Sequence, residues 1–363
     1  MEDKSKLTLI VDGNWLLMSR FSVIKDKYLE DDELCRELQL MMIKSINVVL
    51  RTFPSIDNII FVSDGGSWRN DIPIPKFILD EYKGNREQDP NINWKMIFEY
   101  YEDFIKILSQ NNITTCQVPG VEGDDWCWYW STKLNKEGTN CIIWSMDKDL
   151  TQLVHTDTNT GVFTICWNKS VTTVHDIDYN KDNIDDLDFF FGNLNKSNND
   201  KYLHEIVSKS SKIVKIDPHT IVVDKIIRGD KGDNILPIIL RRPKSGTSEK
   251  LFRVSTKDLD NSLDIHDENQ LSNYISNIIE SNNYKNRVVK KVGDEFVEKS
   301  KEEILEHLKY NIKLVALEKE SYPDKILETM NSYTGYVKNK NISEISSYLS
   351  AKSNKLSGIL DII

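Results

Sequence analysis

Short, uninterrupted apolar runs in the chain stop abruptly at acids. Residues 7–11 run into Asp12-Gly13-Asn14, residues 58–63 into Asp64-Gly65-Gly66, and residues 140–145 into Met146-Asp147-Lys148-Asp149. Runs of this length between polar segments predict strands buried on both faces. Between them, apolar residues recur at helical spacing over roughly 32–50, 93–109 and 124–134. Strands alternating with helices predict a mostly parallel sheet in an α/β layer fold. Such sheets bind ligands outside the carboxyl ends of their strands, and all three runs end there in acids. Further along, residues 225–240 read as a helix–turn–helix around Gly229, and residues 261–300, rich in Asn, Ser and Lys, read as including a mobile stretch. Helical periodicity returns over 301–317.

The 363 residues are enough for two domains. No apolar run approaches the ~20 residues of a membrane-spanning helix, and residues 1–14 lack the apolar core of a secretory signal. The five cysteines (Cys35, Cys116, Cys127, Cys141, Cys166) are scattered and form no CxxC pair. Zinc knuckles and a disulfide framework are therefore disfavoured, and a cytoplasmic location is expected. The formal net charge of −10 argues by itself against a polyanionic partner. The placement of the acids reverses that inference. Acids at strand ends and glycine turns are Asp12, Asp64, Glu122, Asp124, Asp125, Asp147, Asp149, Asp230 and Asp233; setting these nine aside from the 57 leaves 48 against 47 Lys and Arg. Ionised carboxylates about 4 Å apart repel by several kcal/mol at intermediate dielectric, so such a set calls for cations. Hard oxygen donors suit magnesium or manganese, and two such ions about 4 Å apart make a phosphodiester-cleaving centre. Each motif alone has an ordinary reading as a turn or a helix start; their joint occurrence favours the metal reading. A haloacid-dehalogenase-type phosphatase is rejected, because Asn14 stands where that chemistry needs a second Asp.

The ordered blocks VDGNW, SDGGSWR, EYKGNR, PGVEGDDW, SMDKDLTQLV and RGDKGDN resemble the 5′–3′ exonuclease/flap endonuclease family, in particular its bacteriophage ribonuclease H-like branch. The resemblance spans residues 7 to about 240. It implies a PIN-like nuclease domain over 1–180 with a helical arch around 66–100, an insertion or linker over 181–215, and a mainly helical duplex-binding region over 216–363. It implies a structure-specific 5′ nuclease that removes RNA primers or 5′ flaps with two magnesium ions, for which manganese substitutes. Asp12, Asp64, Glu122 and Asp124 match the first ion's ligands, Asp125 lies beside or between the sites, and Asp147, Asp149, Asp230 and Asp233 match the second's. Tyr82, Lys83 and Arg86 match the base of the arch; Lys83 and Arg86, three apart on a helix, would face one phosphate, and Tyr82 would stack on a base. Trp68 and Arg69 are further candidate nucleic-acid contacts, with a core role for Trp68 an equal alternative.

The resemblance breaks after Asn234, where the family's paired hairpin glycines are reduced to Gly246; a potassium site is not carried over. Residues 225–253 instead hold eight Lys and Arg against three acids. This basic block, with Lys231, Arg241, Arg242, Lys244 and Lys250, is the expected contact to duplex backbone. The expected substrate is DNA with a 5′ single-stranded flap or an RNA–DNA hybrid, acted on by a monomer, in an infected bacterial host if the chain is phage-encoded. A replication clamp or single-stranded-DNA-binding protein is a candidate partner for the apolar segment 356–363. The rival readings are a non-catalytic branched-DNA-binding homologue and a PIN-type ribonuclease of single-stranded RNA. The intact acids count against the first; residues 81–86 with Asp230 and Asp233 count against the second.

Overall fold

The structure, a computed structural model, describes residues 6–27, 31–78, 81–86, 89–157, 160–168, 171–175, 205–206, 208–243, 251–292, 295–337, 347 and 351. The chain divides into two compact units, Met1–Gly66 with Gln88–Asp217 and Lys325–Ile363, and Ser67–Glu87 with Pro218–Asp324.

The first unit is built on a sheet. Strands β1 (Lys6–Asp12), β2 (Asn58–Val62), β3 (Thr114–Cys116), β4 (Thr139–Trp144), β6 (Phe163–Asn168), β7 (Val171–His175) and β8 (Lys212–Ile216) lie in the order β3-β2-β1-β4-β6-β7-β8, and β5 (His155–Thr156) pairs with β6. The β1, β2, β3, β4 and β6 pairings are parallel. Residues 7–12 and the whole of β2 and β4 are buried, as strands covered by helices on both faces must be. The helices are α1 (Gly13–Ile24), α2 (Asp31–Thr52), α3 (Trp94–Gln110) and α4 (Gly123–Lys136). In α4, Trp126 and Trp130 are buried; Trp130 stacks on Tyr336 at 4.9 Å. All five cysteines are buried and free, and among the described residues no helix is long and apolar enough to cross a membrane.

Register sets the site. Asp12 is level with Val62 in β2, and Val11 with Trp144 in β4. Asp64 and Asp147 therefore lie just beyond the same edge of the sheet as Asp12, on the strands flanking β1. The chain leaves β1 towards β2 and β3 on one side and returns to β4 on the other, which makes this edge a topological switch point.

The second unit combines α5 (Pro218–Arg228), α6 (Glu268–Glu280) and α7 (Lys301–Val315) with a four-stranded antiparallel sheet. The sheet has the order β10-β9-β11-β12, from β9 (Leu240–Arg241), β10 (Phe252–Arg253), β11 (Val288–Val292) and β12 (Glu295–Glu298). One expectation is corrected here. Residues 225–240 hold only the end of one helix: α5 stops before Gly229, whose φ of +71° and contact with the Ile235 carbonyl exclude a Cβ. Asp230 and Ile235 then exchange backbone hydrogen bonds, and Pro237 cannot continue a helix. Residues 261–300 hold α6, capped by Asp267, and two strands. The short helix α8 (Asp324–Asn331) follows. Most of 181–215 and all of 356–363 lie outside the described residues.

Asn311, fully buried on α7, donates from Nδ2 to the carbonyls of Ile226 and Leu236, each at 2.9 Å. Asn311→Ala strands both acceptors, and urea unfolding should show a loss of about 2 kcal/mol.

Candidate metal centre

Seven of the nine candidate acids belong to the first unit. Asp12 ends β1 and caps α1: Oδ1 accepts from the Trp15 N–H at 3.0 Å and Oδ2 from Ser145 Oγ at 2.6 Å. Its carboxyl is raised to about 7, first by burial and then by the charges of Asp64 and Asp147, against the opposing effect of those two hydrogen bonds. Asp64 Oδ1 accepts from the Gly123 N–H at 2.7 Å, which ties the start of α4, with Glu122 and Asp124, to the end of β2. Asp147 Oδ1 accepts from the Asp149 N–H at 2.9 Å, and the Asp147 N–H donates to Ser145 Oγ at 2.9 Å. Asp147 is exposed, Asp124 and Asp149 are half-buried, and Glu122 is buried. The edge of the sheet is thus a cluster of carboxylates that, with burial, disfavours the charge of Asp12.

Glycine makes the Asp64 turn possible. A Cβ on Gly65 would sit 1.9 Å from the Val118 carbonyl oxygen, and Gly65 exchanges backbone hydrogen bonds with Val121 and Gly120. Asp125 is fully buried and its Oδ2 accepts from the Glu122 N–H at 3.0 Å; the structure gives it the work of a helix cap.

Sequence reasoning missed the groups that hold the acids. Asn14 Nδ2 donates to Asp64 Oδ2 at 2.6 Å, while its Oδ1 accepts from Ser63 Oγ, the Asp64 N–H and the Tyr101 hydroxyl at 3.0, 3.0 and 3.3 Å. The available signal was a serine directly after both β2 and β4, Ser63 and Ser145. Residues orienting a ligand typically change metal affinity 10–100-fold. Asn14→Ala should therefore weaken manganese binding about tenfold by calorimetry.

In the second unit, residues 81–86 are a turn and not a helix. Lys83 has φ of +56°, and the turn is bound to the Asp230–Asp233 turn. The Lys83 N–H donates to the Asp233 carbonyl at 2.9 Å, Asn234 Nδ2 to the Glu81 carbonyl at 2.9 Å, and Asn85 Nδ2 to the Lys231 carbonyl at 3.1 Å. These tertiary bonds replace the ladder of a helix. Arg86 pairs with Asp233 and Lys225 with Asp230, each at 2.5 Å. Burial alone would raise the Asp230 carboxyl, but the Lys225 ammonium and the N–H groups of Gly232 and Asp233 hold it below its usual range. Tyr82 is half-buried against the unit's core, with the Lys83 ammonium 4.8 Å from its ring.

Trp68 and Arg69 are corrected from exposed contacts to core residues. They are 5% and 3% exposed; Arg69 Nε donates to the Leu314 carbonyl at 3.0 Å, and Trp68 packs on Tyr322. Lys231 and Arg242 are exposed. Arg241 is half-buried, its guanidinium 5.0 Å from the Tyr284 ring. Lys244, Gly246 and Lys250 lie outside the described residues.

Residues 7–184 match the family model of the 5′-3′ exonuclease N-terminal resolvase-like domain. The chain is 28% identical over 158 residues to the 5′-3′ exonuclease of Buchnera aphidicola subsp. Acyrthosiphon pisum (strain APS), covering 43% of this chain and 51% of that protein. It is 30% identical over 171 residues to the 5′-3′ exonuclease of Buchnera aphidicola subsp. Schizaphis graminum (strain Sg), covering 47% of this chain and 55% of the relative. The chain thus spans about half the length of the curated relatives it matches. Among solved structures, it is similar to the bacteriophage T5 flap endonuclease in a pseudo-enzyme-product complex with DNA and metal ions. That likeness is 16% in identity, over 97% of this chain and 100% of the other, at a TM-score of 0.47, too low to carry functional weight. Residues 7–184 thus carry the chain's likeness to the 5′-3′ exonucleases.

Proposed function

We propose that the chain is a divalent-metal-dependent, structure-specific 5′ nuclease that hydrolyses a phosphodiester near the 5′ end of a flap or of an RNA primer on DNA. One observation carries the reading. Asp12, 6% exposed, stands at the carboxyl edge of the sheet with Asp64 and Asp147 just beyond the two flanking strands; its carboxyl is raised first by burial and then by their charges. Cations relieve that repulsion, and an all-oxygen donor set suits magnesium or manganese. Asp12, Asp64, Glu122, Asp124, Asp147 and Asp149 would hold the ions, which when bound activate water and stabilise the charge of an in-line displacement.

The chain's own side chains do the positioning. Asn14 and Ser145 fix the Asp64 and Asp12 carboxylates, so little reorganisation accompanies ion or substrate binding. Lys83 and Arg86 supply positive charge for a phosphate, and Lys231 with Arg242 add salt-sensitive contacts to backbone phosphates. Asp230 and Asp233 are further proposed ligands, with which the Lys225 and Arg86 ion pairs would compete. The test is cleavage of a 5′-labelled flap, an RNA–DNA hybrid and unpaired RNA, each with and without magnesium. Cleavage of the first two only with magnesium is expected; cutting of unpaired RNA alone would overturn the reading.

A further inference from the structure

A cavity of about 350 Å³ lies within the second unit. Its wall is largely apolar, with Phe77, Leu236, Pro237 and Phe296, and it includes the polar side chains of Lys299 and His307. Its size falls at the lower end of small-molecule sites. Both polar residues are buried, at 7% and 3% exposure. Lys299 Nζ donates to the Ile238 carbonyl at 2.8 Å and stands 2.6 Å from His307 Nδ1. An amine with its protons turned to these groups makes Nδ1 the acceptor, which places the imidazole proton on Nε2. Burial, and then the Lys299 charge, push His307 well below its usual range, so the ring is neutral.

That Nε2–H is buried and has no hydrogen-bond partner among the described residues. Native proteins seldom leave such a donor unanswered, and the cavity is where an acceptor would meet the ring. Lys299 adds charge: both of its hydrogen-bond partners are neutral, and its ammonium stands 5.1 Å from the Phe77 ring. Lys290, also on the wall, is paired with Glu303. The cavity therefore offers an apolar slot with an aromatic side, one orphan donor and one ammonium whose hydrogen-bond partners are neutral.

We propose that this cavity binds a small aromatic monocarboxylate, its ring against Phe77 and Phe296 and its carboxylate accepting from His307 Nε2 and answering the charge of Lys299. The site belongs to the second unit alone and stands independently of the metal-dependent activity.

Benzoate, benzamide and toluene, titrated into the full-length chain with calorimetry and ¹⁵N-histidine NMR, test it. Benzoate should bind saturably and move the His307 Nε2 resonance, with benzamide and toluene at least about tenfold weaker, the scale of one hydrogen bond to a charged group. His307→Phe and Lys299→Met should each weaken benzoate about tenfold or more. The NMR measurement needs no variant, so a substitution that impairs folding leaves the test intact. Absence of saturable benzoate binding, equal affinity for benzamide or toluene, or an unmoved His307 resonance at saturation would each overturn the proposal.

Discussion

Asp147→Ala is expected to remove magnesium-dependent flap cleavage, by about a thousandfold or more, while leaving the fold in place. The two halves of that expectation rest on different observations. Asp147 is exposed, and its carboxylate accepts a hydrogen bond from the Asp149 N–H; losing such a bond at the surface costs about 1 kcal/mol. Its charge nevertheless reaches Asp12, whose carboxyl it helps to raise. Removing that charge takes away one ion ligand and part of the field that draws cations to the sheet edge. Electrostatic groups acting directly on a transition state are worth about a hundred- to a thousandfold each, and loss of an ion takes the whole of its contribution. The control is Asp103→Ala on α3, an exposed acid paired with Lys106, which should retain full activity. Cleavage by Asp147→Ala within tenfold of the unaltered chain would remove Asp147 from the centre.

The first unit was legible because its signals are local. An apolar run that stops at Asp-Gly or Ser-Met-Asp marks both a buried strand and the edge at which it ends, so β1, β2 and β4 and the acids Asp12, Asp64 and Asp147 could be read together. Asn14 was not legible. Beside Asp12-Gly13 it looks like an ordinary turn residue, and its partners Ser63, Asp64 and Tyr101 stand 49, 50 and 87 positions away. Residues 81–86 misled for a related reason. The spacing of Lys83 and Arg86 suits one face of a helix, but hydrogen bonds from the Asp230–Asp233 turn, about 150 residues on, hold the backbone in another shape. Trp68-Arg69 looks like a stacking and phosphate contact, whereas the pair closes its own cation–π contact inside the core. Strands as short as β9 and β10 have no period to read at all.

Without divalent ions, the stability of the chain should pass through a trough near pH 7, because two buried groups act in opposite directions. Asp12 titrates near 7 in the fold against 3.8 in the unfolded chain. Between those values the folded state keeps a proton that the unfolded state has lost, so stability falls as pH rises, and the penalty is complete above about 7. Lys299 behaves in reverse. Burial lowers its ammonium from 10.5 to about 7, with the opposing charge of Glu303 partly offsetting the effect and that of Lys290 adding to it. Here the unfolded state holds the extra proton, so the penalty is complete below about 7 and is relieved as pH rises towards 10. Each shift corresponds to on the order of a few kcal/mol. Urea unfolding in EDTA should therefore give a lower midpoint at pH 7 than at pH 5 or pH 9. Asp12→Asn should flatten the acid arm alone and Lys299→Met the alkaline arm alone, while magnesium at pH 7 should restore stability by favouring the ionised Asp12. A midpoint highest at pH 7 in EDTA, unchanged by either substitution, would show that neither buried charge governs the pH response.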